Sequence, residues 1–347
     1  MKNQNKYILY ILYNMFYNVL IFLLVLFIYI HITHQLKRSE DLEIYELDYT
    51  TNSHLQEVCD VKQPVLFELK SFFPEYFENI SLDHLSKYGT YDVKIKDIND
   101  YLNVDASLDY VYLPYQSSHN LMSTDTNSVY FTENNEEFIE ETGYIEEFKE
   151  IDSLLKPSMT IQSKYDIMYG SHKCITPLRY HTNNRHFVAV NSGKITIKMT
   201  PWRSHKYVHL IKDYENYEFR SPVNVWQPQS KYVHDMDRMK FLEFDVNPGY
   251  VLYIPPYWFY SIKFSGENTL LTTVTYNSIM NHLANLPNLG LYFIQQQNIK
   301  KKVAKTMEFE IVDDEKAEEK EGQPKPKTIS GIKIIEKTDN KENHEEK

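Results

Sequence analysis

The strongest pattern along the chain is an unbroken apolar run from Tyr7 to Ile30, YILYILYNMFYNVLIFLLVLFIYI, with no charged residue in it. At about 1.5 Å per residue, a helix of that length reaches about 36 Å, more than the roughly 30 Å of bilayer hydrocarbon. Lys2 and Lys6 precede the run, and Lys37 and Arg38 follow it. A cleaved signal peptide has a shorter apolar region and small residues at its cleavage site, and neither is present here. The run therefore reads as an uncleaved signal anchor, a single-pass transmembrane helix over 7–30. Basic residues balance on its two sides, so the pattern leaves membrane orientation open.

Beyond a polar linker over 31–42, short apolar stretches alternate with turn signals from 43 to 276, the signature of a mainly β domain with some helices. Strands are expected at Val65–Phe67, Tyr250–Ile254, Phe259–Phe264 and Leu270–Tyr276, and a short helix over Leu82–Tyr88. Phe187–Val190 and Ile195–Met199 flank Asn191-Ser192-Gly193, which predicts a hairpin. Residues 134–155 carry Phe138, Ile145, Phe148, Ile151, Leu154 and Leu155 at helical spacing among many glutamates, predicting one acidic amphipathic helix. The segment 277–307 reads as a helix pair broken near Pro287. Its apolar content, Ile279 to Ile294, points to a homodimer contact, or else to a cover over one sheet. The tail 308–347 is rich in acids and lysines and poor in aromatics, and is expected to be disordered.

Composition narrows the function. The formal net charge of −11 argues against a phosphate-backbone partner, so no nucleic acid is expected. Cys59 and Cys174 are the only cysteines, too few for a disulfide framework or a thiolate zinc site, and read as buried thiols. Among the 13 histidines, the only one in an H-x-D/E pattern is His344, in the tail. His205 and His209 are four apart, a spacing that shares one face only on a helix, and the surrounding KYVHLI looks like a strand. His172, His181 and His186 lie close in sequence and are the candidates for a rearranged metal site.

Three segments carry a family likeness: Gln63-Pro64-Val65-Leu66-Phe67; Ile175-Thr176-Pro177-Leu178-Arg179-Tyr180-His181; and Asn247-Pro248-Gly249-Tyr250-Val251-Leu252-Tyr253-Ile254-Pro255-Pro256-Tyr257-Trp258-Phe259-Tyr260-Ser261-Ile262. Together they resemble the JmjC/cupin-like superfamily, closest to its asparaginyl-hydroxylase type, over roughly residues 43–280. The likeness implies a double-stranded β-helix (a cupin or jelly-roll barrel) with flanking helices. Similar domains behind an N-terminal anchor occur among large DNA viruses, and the Asn-, Lys- and Tyr-rich composition is compatible with that type.

Active members read T-P-x-H-x-D in the second segment and end the third with W-W-H-x-I/V, and two histidines and a carboxylate hold Fe(II) beside 2-oxoglutarate. The resemblance places Arg179, His181 and Ser261 at those three positions. Arginine stays protonated in proteins and cannot ligate a metal. A fixed cation about 4 Å from a dication would be disfavoured by about 8 kcal/mol at moderate dielectric. Thr176 and Lys194 are remnants of the co-substrate positions, and strand alternation turns Lys194 outward if Ile195, Ile197 and Met199 fill the barrel. Arg179 is expected to form an ion pair with a barrel acid such as Glu243 or Asp245, or to meet a small anion. The reading is a membrane-anchored pseudoenzyme, a binding or structural component with no cofactor. The alternative is an Fe(II)/2-oxoglutarate-dependent hydroxylase with non-standard ligands.

Overall fold

The computed structural model describes residues 2–104, 108 and 110–299. The expected disordered tail, with His344, lies outside the described residues, as does 300–307 of the C-terminal helical segment. Met1–Gln295 form one compact unit; of the second, Gln296–Lys347, the described residues are helical.

Helix α1 (Lys2–Gln35) takes in the whole apolar run and the first residues of the expected linker. Its Tyr10–Gln35 stretch, mean hydropathy 2.4, is long and apolar enough to cross a membrane. The remaining helices are short: α2 (Asn52–Cys59), α3 (Pro74–Asn79), α4 (Leu82–Leu85), α5 (Ile98–Leu102), α6 (Tyr115–Thr124), α7 (Glu136–Glu141), α8 (Ile145–Glu150), α9 (Asp152–Leu155), α10 (Val233–Met236), α11 (Ile279–Ala284) and α12 (Leu286–Ile299). The expected single helix over 134–155 is instead α7, α8 and α9. Gly143 breaks it by adopting φ +74°, a left-handed conformation that favours glycine. The helical spacing survives in part, since Phe138, Phe148, Ile151 and Leu155 are all buried.

Among the described residues, fifteen strands make two sheets. They are β1 (Tyr45–Leu47), β2 (Val65–Glu68), β3 (Asp92–Asp97), β4 (Val111–Pro114), β5 (Tyr130–Thr132), β6 (Thr160–Gly170), β7 (Arg179–Tyr180), β8 (Arg185–Ser192), β9 (Ile195–Thr200), β10 (Ile211–Asp213), β11 (Glu218–Arg220), β12 (Leu242–Val246), β13 (Tyr250–Tyr253), β14 (Phe259–Phe264) and β15 (Leu270–Ser278). The nine-stranded sheet runs β1-β2-β13-β8-β15-β6-β5-β3-β4, and the six-stranded sheet β10-β11-β7-β14-β9-β12. Only the β1–β2 pair is parallel; the other pairs are antiparallel.

One expectation is corrected here. The strands β8 and β9 flank Asn191-Ser192-Gly193 as anticipated, but they do not pair; β8 lies in the large sheet and β9 in the small one. The turn carries the chain from one sheet to the other. Gly193 has φ +68°, and a Cβ there would sit 2.6 Å from the Thr269 backbone. Alternation along each strand then sorts the core into three packed groups. Val188, Val190, Ile195, Ile197, Leu252, Ile262 and Leu271 form the group shared by the two sheets. Tyr76, Phe148, Phe187, Tyr253 and Tyr276 belong to the group that holds the helices against the large sheet. Tyr180, Phe219, Tyr257 and Phe259 form a third with the 202–241 segment. That segment corrects another expectation, since His205 falls in a 3-10 turn (Trp202–Lys206) and not in a strand.

Candidate functional site

The residues nominated by the family likeness do not all meet. Trp258, just before β14, and Tyr260, Ile262 and Phe264 along it belong to the core between the sheets. Side chains on a strand alternate faces, so Ser261 points the other way. Its hydroxyl donates to the Thr176 carbonyl at 2.6 Å and accepts from the Trp226 indole at 2.8 Å. Tyr260 is the β14 residue beside the other two: it pairs with Arg179 in register, and its ring lies 5.7 Å from that guanidinium and 6.2 Å from the His181 ring. The signal was in the sequence. Read without a gap, Trp258-Phe259-Tyr260 sets Tyr260, and not Ser261, under the family's second histidine.

Arg179 starts β7, between β11 and β14, and is held by an acid that the sequence reading did not nominate. Its two terminal nitrogens donate to the two carboxylate oxygens of Glu133, one of them at 2.6 Å. Lys96, from β3, donates to Glu133 at 2.9 Å and to Glu218, from β11, at 3.2 Å. The loop that carries Glu133 is fixed by Asp166, whose carboxylate accepts from the backbone N–H groups of Asn134 and Asn135, each at 2.7 Å. The result is a largely buried chain of two cations and two anions that ties the large sheet to the small one. Burial alone would favour the neutral acid, yet the Arg179 and Lys96 charges outweigh it and hold the Glu133 carboxyl well below the usual carboxylate range. Glu243 and Asp245, the expected partners, instead face Lys198 at 3.3 Å and Lys194 at 2.5 Å.

His181 is fully engaged. Its Nε2 faces the Ile254 carbonyl at 3.1 Å and its Nδ1 accepts from the Asn183 N–H at 3.2 Å, which places the proton on Nε2. Burial first, then the neighbouring His186, pushes its pKa well below the ordinary value. The rings of His181 and His186 are 4.7 Å apart, and burial followed by the Arg179 charge takes His186 down to about 3. Both imidazoles are thus neutral, and the Nδ1 of His186 is bonded to Thr275 at 2.9 Å. His172 is not part of this group; its ring contacts the Gly266 carbonyl at 3.4 Å. His205 stacks on Trp202, and His209 bonds Asp235 at 2.8 Å.

These residues do not fit an iron centre. Arg179 offers a guanidinium, Tyr260 a phenol and His181 an imidazole with both nitrogens bonded, and the nearby Glu133 carboxylate already neutralises two cations. Among the described residues, no three His, Cys, Asp or Glu side chains are grouped so as to hold a metal ion. Of the two residues that the resemblance sets at co-substrate positions, Thr176 is buried and its hydroxyl accepts from the Ile262 N–H at 2.9 Å, while Lys194 is half-exposed on its ion pair with Asp245. The approach is also covered. Asn281 and Asn285 of the α11 segment donate to the Thr182 carbonyl at 2.9 and 3.3 Å, and the Tyr257 N–H donates to the His181 carbonyl at 3.0 Å. The arrangement can brace two sheets.

No protein-family model matches this sequence, and comparison with curated proteins finds no match.

Proposed function

We propose that this chain is a membrane-anchored, cupin-like (JmjC-like) domain whose metal position has been taken over by a buried ion-pair cluster, and that it serves as a non-catalytic binding or structural component. Supporting the barrel reading is the strand order. The chain alternates between the sub-sheets β13-β8-β15-β6 and β7-β14-β9-β12 except from β9 to β12, which pair within one sheet, and this matches the winding of a double-stranded β-helix. Supporting the anchor is the apolar length of α1.

The observation that carries the loss of catalysis is the Glu133 carboxylate closed on Arg179. An ion pair there occupies the buried Glu133 carboxylate and sets a permanent cation beside the His181 and His186 imidazoles. The experiment is turnover: purified full chain with Fe(II), ascorbate and 2-oxoglutarate should release no succinate above an enzyme-free blank. Succinate release that disappears in Arg179→Met would favour the alternative, a hydroxylase with non-standard ligands.

A further inference from the structure

The exposed apolar residues of the C-terminal helices have an explanation in the position of α1. Helix α11 packs against α1. Among the described side chains of α1, those that lose exposure are Ile28, Ile32 and Gln35, four and three apart and so on one face. The apolar run ends at Ile30, so the edge of the hydrocarbon falls near that residue, and Ile28 and Ile32 lie within about 3 Å of it along the helix axis. Whatever touches α1 there sits at the membrane boundary.

Several apolar side chains of the C-terminal helices are exposed to solvent. Ile279, Leu286, Leu291, Phe293 and Ile294 are all exposed, Phe293 and Ile294 at 62% each. They are joined by a segment remote in sequence. Thr160 pairs with Ser278, immediately before α11, and its neighbour Met159 is 88% exposed at φ +60°. An apolar patch built from two chain segments beside the exit of a spanning helix is continuous with the surface that helix already presents to lipid. We infer that α11, the first turns of α12 and the Met159 loop rest on the bilayer as an interfacial platform, with the covered His181 end of the domain facing the membrane. This inference rests on the anchor reading of α1.

The test uses the full chain in vesicles of phosphatidylcholine and phosphatidylglycerol containing, in separate preparations, a phosphatidylcholine brominated near the headgroup end of its acyl chains and one brominated near their methyl ends. Cys59 and Cys174 are both buried, so an introduced surface cysteine takes an environment-sensitive fluorophore selectively. Three positions are labelled singly: Phe293→Cys, Val19→Cys in α1, and Glu267→Cys, which precedes β15 at the end opposite α11, about 26 Å away along the strand. The expected result is that the labels at 19 and 293 are blue-shifted and lose most of their emission to brominated lipid, while 267 keeps its emission. An unquenched, water-like label at 293 beside a quenched label at 19 overturns the platform and leaves the anchor standing. A blue-shifted label at 293 that lipid does not quench overturns it in favour of a second copy of the chain. An unquenched label at 19 removes the anchor and the platform together. Ile294→Cys, labelled in the same way, replaces Phe293→Cys if that variant misfolds.

Discussion

Arg179 and Glu133, 46 residues apart in sequence, close on each other through two parallel hydrogen bonds at the seam of the two sheets. Removing one partner of such a pair strands a charge away from water, whereas replacing both can be neutral. Arg179→Met should therefore destabilise the domain by about 3–5 kcal/mol, with Glu133 left to Lys96 alone. All three tryptophans lie within the domain, so urea unfolding of the detergent-solubilised chain followed by tryptophan emission reads this directly. Unchanged stability would mean that the pair does not form.

The alternation along β14 separates Ser261 from Tyr260 by consequence as well as by face. Ser261→Ala loses two hydrogen bonds and should lower stability by about 1–2 kcal/mol while shifting the emission of Trp226, its indole partner. Tyr260→Ala removes a buried ring from the inter-sheet core and should lower it by about 3–5 kcal/mol. Equal effects from the two substitutions would argue against this register.

Acid sensitivity follows from the two neutral histidines. The folded His186 has a pKa near 3 against 6.5 when unfolded, so the unfolded chain takes up the proton first as pH falls. Its contribution is complete above pH 6.5 and is lost progressively towards pH 3, by about 2 kcal/mol between pH 6.5 and 5. His181 acts in the same direction. His186→Gln should flatten the stability profile between pH 6.5 and 5, and urea midpoints across that range measure it.

Lys62 has the same sign of dependence in a higher pH window. It is fully buried, its Nζ has no hydrogen-bond partner, and burial followed by the Arg185 charge takes its pKa down to about 7 from 10.5. Between those values the unfolded chain holds a proton that the folded chain does not, so stability rises with pH across that window. Lys62→Met should stabilise the domain by a few kcal/mol below pH 7 and abolish the rise, read as thermal midpoints against pH.

The strands were legible because alternation and turn residues mark them locally: β14 runs over the expected Phe259–Phe264, and β13 follows Pro248-Gly249 as anticipated. Sheet membership was not, since local pattern cannot say whether Asn191-Ser192-Gly193 folds a strand back or passes it across. The site was half legible. Arg179 and His181 both lie beside the Tyr260 ring, but their surroundings depend on Glu133 and Lys96, which lie outside the family-like segments and reach the site only through β3 and β5 pairing. The covering role considered for 277–307 is partial: Asn281 and Asn285 are buried against Thr182, while Leu286, Phe293 and Ile294 remain exposed.

The most direct test of the account is the metal stoichiometry of the full-length protein after anaerobic reconstitution with Fe(II), and separately with Mn(II), followed by desalting and elemental analysis. An ion-pair cluster in place of the metal predicts no retained metal above that of Arg179→Met treated alongside. One equivalent of tightly held iron or manganese in the wild-type chain, lost when His181 and His186 are replaced by alanine, would contradict it.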